Sequence, residues 1–561
     1  MTKQKKDIKK IRANALFNLP NFDVRLSQML KSWLKKEISN KFPDIEFDIL
    51  TPPDDKMGDY SVNLAFVLAK EKGISPMEAG KSLIGEFSGD KELSKKFSKI
   101  QLVPSGFINF YLSDEYLISS LLEIIKEGEK FGDSEMGKGT KINLEFVSAN
   151  PTGPLTVGNA RSASFGDTLG NILKKTGYKV TKEYYVNDIG NQINKLAESV
   201  KLRMKELKGE KVEFGADLYQ GEYVKDIAKE FLDSNISEKD IASQAIKAMT
   251  DMARSSTEKM GVQFDEWFPE SRLHEIGEVK EVLSDLESKG FVVEEDGAKW
   301  LKISENQKAV LVKSDGSTTY LLNDIAYTKN KFERGFTSAI NIWGADHHGD
   351  VIRLKTGVAA LGFDPDRLEI LLHQLVSIKE GGELQKMSKR AGRFVLLDEL
   401  LSEVGKDAVR FFFLTRDLNT HMEFDIDLAK KQSKENPVFY IQYAFARLNS
   451  IFEKLKVKSE KLKVKKEDLM FLKEEDELRL LKDIVRFPEI IKDISENYQV
   501  HHLAQYTFNL ASDFHKFYEK HHVIQENDVK LQSARLLLSK GVHTVLKICL
   551  ELMGLSTPER M

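Results

Sequence analysis

Apolar and polar positions along the chain change period several times, and each change predicts an element boundary. Residues 24–41 space their apolar side chains for a helix, and F-D-I-L-T-P-P after them reads as a strand closed by a proline turn. Residues 76–87 predict a second helix, with Ser75 as its cap before Pro76. Residues 100–112 predict a strand pair broken at P-S-G, followed by a helix over 115–130. From 142 onward strands and helices alternate: strands at 142–148 and at Y-K-V-T-K-E-Y-Y-V, helices at 159–175 and 190–207. Such alternation predicts a parallel sheet with crossover helices. Residues 208–290 read as a charged, mostly helical insertion. The βα pattern resumes with A-I-N-I-W at 339–343, a helix at 351–361 and a strand at 368–378, and the chain reads helical from about 396.

Length turns this pattern into domains. A chain of 561 residues is too long for one core. We divide it into an N-terminal α+β domain (1–118, with 1–17 as an extra arm), a parallel-sheet domain (135–430) and a helical C-terminal domain (431–561). With 41% hydrophobic and 30% charged residues the composition is that of an ordinary globular protein. The formal net charge of −3 gives no global field toward nucleic acid, so any such contact must be local. Two basic runs, K-Q-K-K-D-I-K-K-I-R at 3–12 and K-L-K-V-K-S-E-K-L-K-V-K-K at 454–466, are solvated faces or local contacts of that kind. The one cysteine, Cys549, excludes an internal disulfide or a cysteine metal site. No run approaches membrane-span length and no apolar leader stands at the start, so a cytoplasmic setting is expected.

Four stretches carry candidate chemistry. S-A-N-P-T-G-P-L-T-V-G-N-A-R (148–161) joins a strand to a helix start, where unpaired N–H groups and the helix dipole favour an anion. A plain βα loop is the other reading, and neither a G-x-G-x-x-G nor a Walker lysine is present. E-G-G-E-L-Q-K-M-S-K-R-A-G-R-F (380–394) is a glycine-bracketed cationic loop that could neutralise a polyphosphate. W-G-A-D-H-H-G-D (343–350) lies at another strand end; its adjacent histidines lack metal-ligand spacing. In T-T-Y-L-L-N-D-I-A-Y, Tyr320 and Asp324 share a helix face and could bind a guanidinium, or be surface groups.

Together the first two stretches resemble the paired signatures of class I aminoacyl-tRNA synthetases, with T-V-G-N standing for H-I-G-H and K-M-S-K-R for K-M-S-K-S. More specifically the chain resembles the arginyl-tRNA synthetase family, in E-F-V-S-A-N-P-T-G-P-L, E-Y-Y-V-N-D-I-G-N-Q-I, N-D-I-A-Y, G-A-D-H-H-G, K-M-S-K-R-A-G-R-F-V, E-N-P-V-F-Y-I-Q-Y-A-F-A-R and the terminal P-E-R-M. The resemblance implies a Rossmann-type α/β catalytic domain, an N-terminal domain that contacts tRNA, and a helical anticodon-binding domain. It implies ATP with Mg²⁺, L-arginine and an arginine-accepting tRNA as ligands of a monomer, and formation of arginyl-adenylate before transfer to tRNA. By motif position Thr156, Asn159, Lys386 and Lys389 are the catalytic set. Pro151, Thr152, Gly153, Gly158, Gly344, Asp346, Met387 and Ser388 are expected at ATP. Glu145, Ser148, Asn150, Glu270, Tyr320, Asp324 and His347 are expected at arginine, and no metal ligand is expected on the protein. Thr156 and Asn159 depart from the family's histidines; bacterial tryptophanyl-tRNA synthetases resemble the chain there, with T-I-G-N. The alternatives are a synthetase-like tRNA-binding protein that does not activate arginine, and a nucleotidyl transferase without RNA.

Overall fold

Five strand segments, mostly apolar and β-branched or aromatic, pair in parallel at the centre of the chain. In the computed structural model, which describes residues 29–52, 54–234, 236–385, 395–457, 466–524 and 527–561, they are β1 (Lys141–Glu145), β2 (Lys179–Val186), β3 (Glu266–Pro269), β4 (Ser338–Gly344) and β5 (Leu368–His373). The sheet order is β5-β4-β1-β2-β3, parallel throughout. Four of the five residues of β1 are buried, as expected for a strand covered on both faces. Helices α1 (Val157–Lys175), α2 (Asn191–Leu207), α3 (Tyr320–Glu333) and α4 (His348–Ala360) follow or precede these strands. Helix α1 lies close on the sheet: a Cβ added at Gly166 would come within 2.3 Å of the Phe146 ring. Strand order reverses between β1 and β4, and in such sheets ligands bind at the carboxyl ends of the strands on either side of the reversal.

Three segments differ from the pattern reading. Glu266–Pro269 lies inside the 208–290 stretch yet returns to the sheet as its edge strand; four residues ending in proline are too short to show a period. Val292–Glu295, Ala298–Ser304 and Gln307–Val312 form an antiparallel meander that the reading passed over. The 368–378 strand is two strands. β5 stops at His373, and Val376–Glu380 starts a second sheet, antiparallel to Glu383–Gln385 and parallel to Met422–Asp425. The last of these is a strand within the region read as helical. Helices Glu222–Asp233, Ile241–Lys259, Ser271–Glu275 and Glu278–Ser288 also lie in 208–290, and the first two share a core with α2.

The N-terminal sheet is antiparallel, in the order Ile49–Leu50, Tyr60–Val62, Ile108–Leu112, Phe97–Leu102. Helix Pro76–Ser88 begins with the expected Ser75 cap, closed into a box by Glu78. The C-terminal region packs helices Pro437–Val457, Glu475–Asn497, His501–Lys520 and Val529–Leu552. Cys549 is fully buried there, and burial pushes its thiol up to about 12. Residues 1–28, which include the arm and the first basic run, lie outside the described residues, as does most of the second run.

Buried ion pairs tie these parts together. Arg410 donates to Asp167 of α1 at 2.5 Å and to the Met553 carbonyl at 2.7 Å, beyond the last helix; Lys182 of β2 reaches the other Asp167 oxygen at 2.6 Å. Glu489 of Glu475–Asn497 accepts from the Tyr60 hydroxyl at 2.9 Å and the Lys31 N–H at 2.7 Å. Removing one member of such a network strands the others in the interior. Arg410→Met is therefore expected to destabilise the protein by about 3 kcal/mol, read as a fall in the denaturant midpoint; an unchanged midpoint would contradict this placing of the network.

Candidate active site

At the carboxyl end of β1 the backbone is strained. Val147 and Ser148 have φ of 70° and 38°, a region that a β-branched valine seldom enters. Neighbours hold them there. The Val147 N–H donates to Ser162 Oγ at 3.1 Å, and the Tyr185 N–H donates to Ser148 Oγ at 3.1 Å. Ser148 Oγ in turn donates to Glu145 Oε1 at 3.0 Å. Beyond it Asn150 is exposed and Pro151 buried. The Thr152 carbonyl accepts from the Tyr223 hydroxyl at 2.7 Å, and a Cβ on Gly153 would stand 3.5 Å from the same oxygen. The helical insertion thus braces this turn from outside.

Helix α1 opens on a cap in which Asn159 is the acceptor. Its Oδ1 receives the Thr156 N–H at 2.8 Å and the Thr156 hydroxyl at 3.1 Å. Asn159 sits where a capping box places its Glu or Gln. With the oxygen committed, the Nδ2 group is left without a partner among the described residues. Among the described residues, a Cβ on Gly158 would meet only Thr156 Oγ, at 3.8 Å. The same turn is stitched to the chain returning from the cationic loop: Thr156 bridges Leu396, the Val157 N–H donates to the Val395 carbonyl at 3.2 Å, and the Leu397 N–H to the Leu155 carbonyl at 2.9 Å. The outgoing end is the hairpin Val376–Glu380/Glu383–Gln385, turned at Gly381 and Gly382, both with positive φ (60° and 81°). The returning end of the loop is therefore fixed beside the α1 start, and the outgoing end is held in the hairpin. Lys386, Met387, Ser388, Lys389, Arg390 and Arg393 themselves lie outside the described residues.

At the end of β4, Gly344 is partly buried and Asp346 and His347 are exposed. His347 Nδ1 stands 3.3 Å from Asp350, and its ring lies 5.8 Å from that of Trp343. A Cβ on Gly344 would come within 2.4 Å of Asp346 Oδ1, so this turn accepts nothing larger without moving that carboxylate.

An acidic pocket lies between β1, β3 and α3. Glu270, just past β3, is 2% exposed and accepts from the Asn323 amide; burial pushes its carboxyl up to about 7. Burial, then Glu145 and Glu270, raise the Asp324 carboxyl well above the usual carboxylate range, and that carboxyl has no hydrogen-bond or ion-pair partner among the described residues. Tyr185 stacks on Phe268 and tilts against Tyr327, walling the pocket with aromatic faces. Tyr320 stands 63% exposed one helical turn before Asp324. Glu145 is 5% exposed and both its oxygens are engaged, by Ser148 and by Lys331 Nζ at 2.6 Å. Two carboxylates raised by burial, with no ion-pair partner of their own among the described residues and with Lys331, the one cation that lowers Asp324, already bonded to Glu145, favour a bound cation with several donors. Asn323, Tyr185 and Lys331 were not among the residues expected from the sequence. A signal existed for two of them: Asn323 abuts Asp324, and Lys331 follows Asp324 by seven residues, two turns along the same helix face.

Of the aromatic residues in the C-terminal region singled out from the sequence, Phe445 is buried on the His543 ring and Tyr440 packs on His515. Tyr443 is 37% exposed and lines a cavity of about 620 Å³ with Arg447, Tyr518 and Arg560. The Arg447 guanidinium lies 4.6 Å from the Tyr443 ring centre and 4.7 Å from that of Tyr518. Among the described residues no helix is long and apolar enough to cross a membrane.

Three family models match the chain: an arginyl tRNA synthetase N terminal domain over residues 25–112, a catalytic domain of class I (R) tRNA synthetases over 120–425, and a DALR anticodon binding domain over 441–561. Among curated proteins the chain is similar to an arginine–tRNA ligase of Carboxydothermus hydrogenoformans, 42% identical with 92% of this chain and 95% of that one covered. It is 40% identical to the arginine–tRNA ligase of Thermotoga maritima, with 92% and 96% covered. Among solved structures, Thermus thermophilus arginyl-tRNA synthetase shares the fold with a TM-score of 0.75 at 21% identity, over 95% of this chain and all of that one.

Proposed function

The chain belongs to the arginyl-tRNA synthetase family and is an arginine–tRNA ligase, and on that premise we propose which of its residues carry the reaction. In that reaction the arginine carboxylate attacks the α-phosphorus of ATP, pyrophosphate leaves, and the 2′-hydroxyl of the terminal tRNA adenosine takes the arginyl group from the adenylate. Matches to ligases over nine-tenths of the chain disfavour a protein that only binds tRNA.

The observation that carries the arginine site is the pair of unneutralised carboxylates, Asp324 and Glu270, beside Tyr185. They take the guanidinium, with Tyr320 closing over it, while Ser148, Asn150 and His347 lie toward the α-amino and carboxylate end. ATP lies across the α1 start, with Gly158 and Asn159 at the phosphates, Pro151, Thr152 and Gly153 shaping the turn, and Gly344 and Asp346 on the ribose side. Lys386 and Lys389, with Met387 and Ser388 between them, come from a loop whose returning end is bonded beside Thr156, and we assign them to the charge that grows on the leaving pyrophosphate. Catalysis on this plan is positioning plus electrostatics. Mg²⁺ accompanies ATP on its phosphates. We assign it no protein ligands. The cavity at Tyr443, Arg447 and Tyr518 offers aromatic and guanidinium planes for an unpaired tRNA base. We take the ligase to act as a cytoplasmic monomer.

The plan has a pH signature. Guanidinium needs both carboxylates ionised, whereas Glu270 is half protonated near pH 7 in the free protein and Asp324 is raised too. Below pH 7 arginine must displace a proton, so its KM should rise up to about tenfold per pH unit, with little change in the KM for ATP. ATP–pyrophosphate exchange with cognate tRNA present, from pH 6 to 8.5, measures this. An arginine KM flat across that range would overturn the assignment.

A further inference from the structure

Lys331 is 0% exposed, yet it is a charged side chain in the middle of a protein. Burying an ammonium group costs several kcal/mol that a methionine of similar length would not incur. Its surroundings show what it does there. Nζ donates to Glu145 Oε2 at 2.6 Å and to Asn341 Oδ1 at 2.8 Å, and lies 4.2 Å from the Tyr327 ring centre. Glu145 and Asn341 are register partners on β1 and β4, the two strands between which the sheet order reverses. Lys331 therefore clamps the end of β1, from which a ligand turn departs, to the middle of β4. The other oxygen of Glu145 holds the Ser148 hydroxyl, which holds the Tyr185 N–H, and between Glu145 and Ser148 lies the strained Val147.

We propose that Lys331 is a positioning residue for arginine: by fixing Glu145 as a paired carboxylate it holds the turn at Val147 and Ser148 in its receiving shape, and it leaves Asp324 and Glu270 as the carboxylates open to the substrate cation. Without it, Glu145 becomes a third unneutralised acid in the pocket. The remaining charges nearby do not replace it. Arg334 is committed to Glu183 and Glu266, Glu183 also receives the Tyr327 hydroxyl, and Asp350 lies on α4 with Arg353. The inference rests on the assignment of arginine to this pocket.

Lys331→Met, which keeps length and removes charge, tests it by arginine-dependent pyrophosphate exchange with tRNA present. The expected result is a more than tenfold rise in arginine KM, an ATP KM within twofold of the parent, and an acid limb of the arginine profile displaced upward by about one pH unit. A lysine that only stabilises the fold would lower the melting temperature and leave the arginine KM and its pH profile in place; that outcome overturns the proposal. Should Lys331→Met not fold, Glu145→Gln with Lys331→Met removes both charges of the pair, a change interiors often tolerate. The folded double variant should still show the raised arginine KM, and a parental value would equally overturn the proposal. Asp324→Asn separates the two levels of inference. If arginine binds elsewhere, Asp324→Asn and Lys331→Met both leave arginine KM alone; if only the role of Lys331 is wrong, Asp324→Asn raises it and Lys331→Met does not.

Discussion

Asp324→Asn is expected to cut kcat/KM for arginine by roughly 30- to 4,000-fold, the range of about 2–5 kcal/mol seen when one member of a buried, hydrogen-bonded charge pair is removed. The substitution keeps the volume of the side chain, so the loss reports charge and donor pattern rather than shape. Most of it should fall on arginine KM, because the guanidinium lies away from the reacting carboxylate and is held alike in ground and transition states. Stability should move the other way. In the free protein Asp324 is a desolvated acid facing Glu145 and Glu270, so a neutral amide relieves repulsion. The melting temperature of Asp324→Asn should equal or exceed that of the parent, the trade expected where a site is kept strained for its ligand. Unchanged arginine kinetics in the folded variant would remove Asp324 from the guanidinium role.

How much of this could be read from the chain depends on what kind of signal each part leaves. The alternation of strands and helices after residue 142 announced a parallel sheet because each element is long enough to show a period. Glu266–Pro269 left no such trace, and its place at the sheet edge is set by pairing with β2, a tertiary fact. The meander at 292–312 did carry a signal, the Asp296–Gly297 pair, whose positive φ values of 51° and 75° make the hairpin turn. Its glutamates and lysines interrupt the apolar positions of the first two strands. In the site, the glycine- and proline-rich turn and the lysine loop were legible as motifs. The bonds that fix them were not. That Glu145 is paired with a lysine 186 residues further on, and that Tyr223 braces Thr152 from the insertion, are consequences of packing between elements distant in sequence. The network around Asp167 was invisible for the same reason.

Asn159→Asp is the second large effect, and it decides what the departure from the histidine signature means. The Asn159 side chain has two ends with two jobs. Its oxygen caps α1 by accepting from the Thr156 N–H and hydroxyl, and its Nδ2 group, without a partner among the described residues, is the end we propose for a ligand. Aspartate keeps the oxygen, and a carboxylate in the first turn of a helix is favourable to the dipole, so the cap and the melting temperature should survive. The donor does not survive, and an anion now faces the expected phosphates. Loss of one such donor costs roughly a hundred- to a thousandfold in rate, and ATP–pyrophosphate exchange should fall by at least that much. Thr156→Ala removes only a hydroxyl already committed to Asn159, so its effect should be a few-fold and should appear as helix stability. The order Asn159→Asp far below Thr156→Ala is the prediction. If Asn159→Asp exchanges pyrophosphate at the parental rate, then the α1 backbone and the lysine loop hold the phosphates by themselves, and the asparagine that replaces a histidine of the family is only a cap.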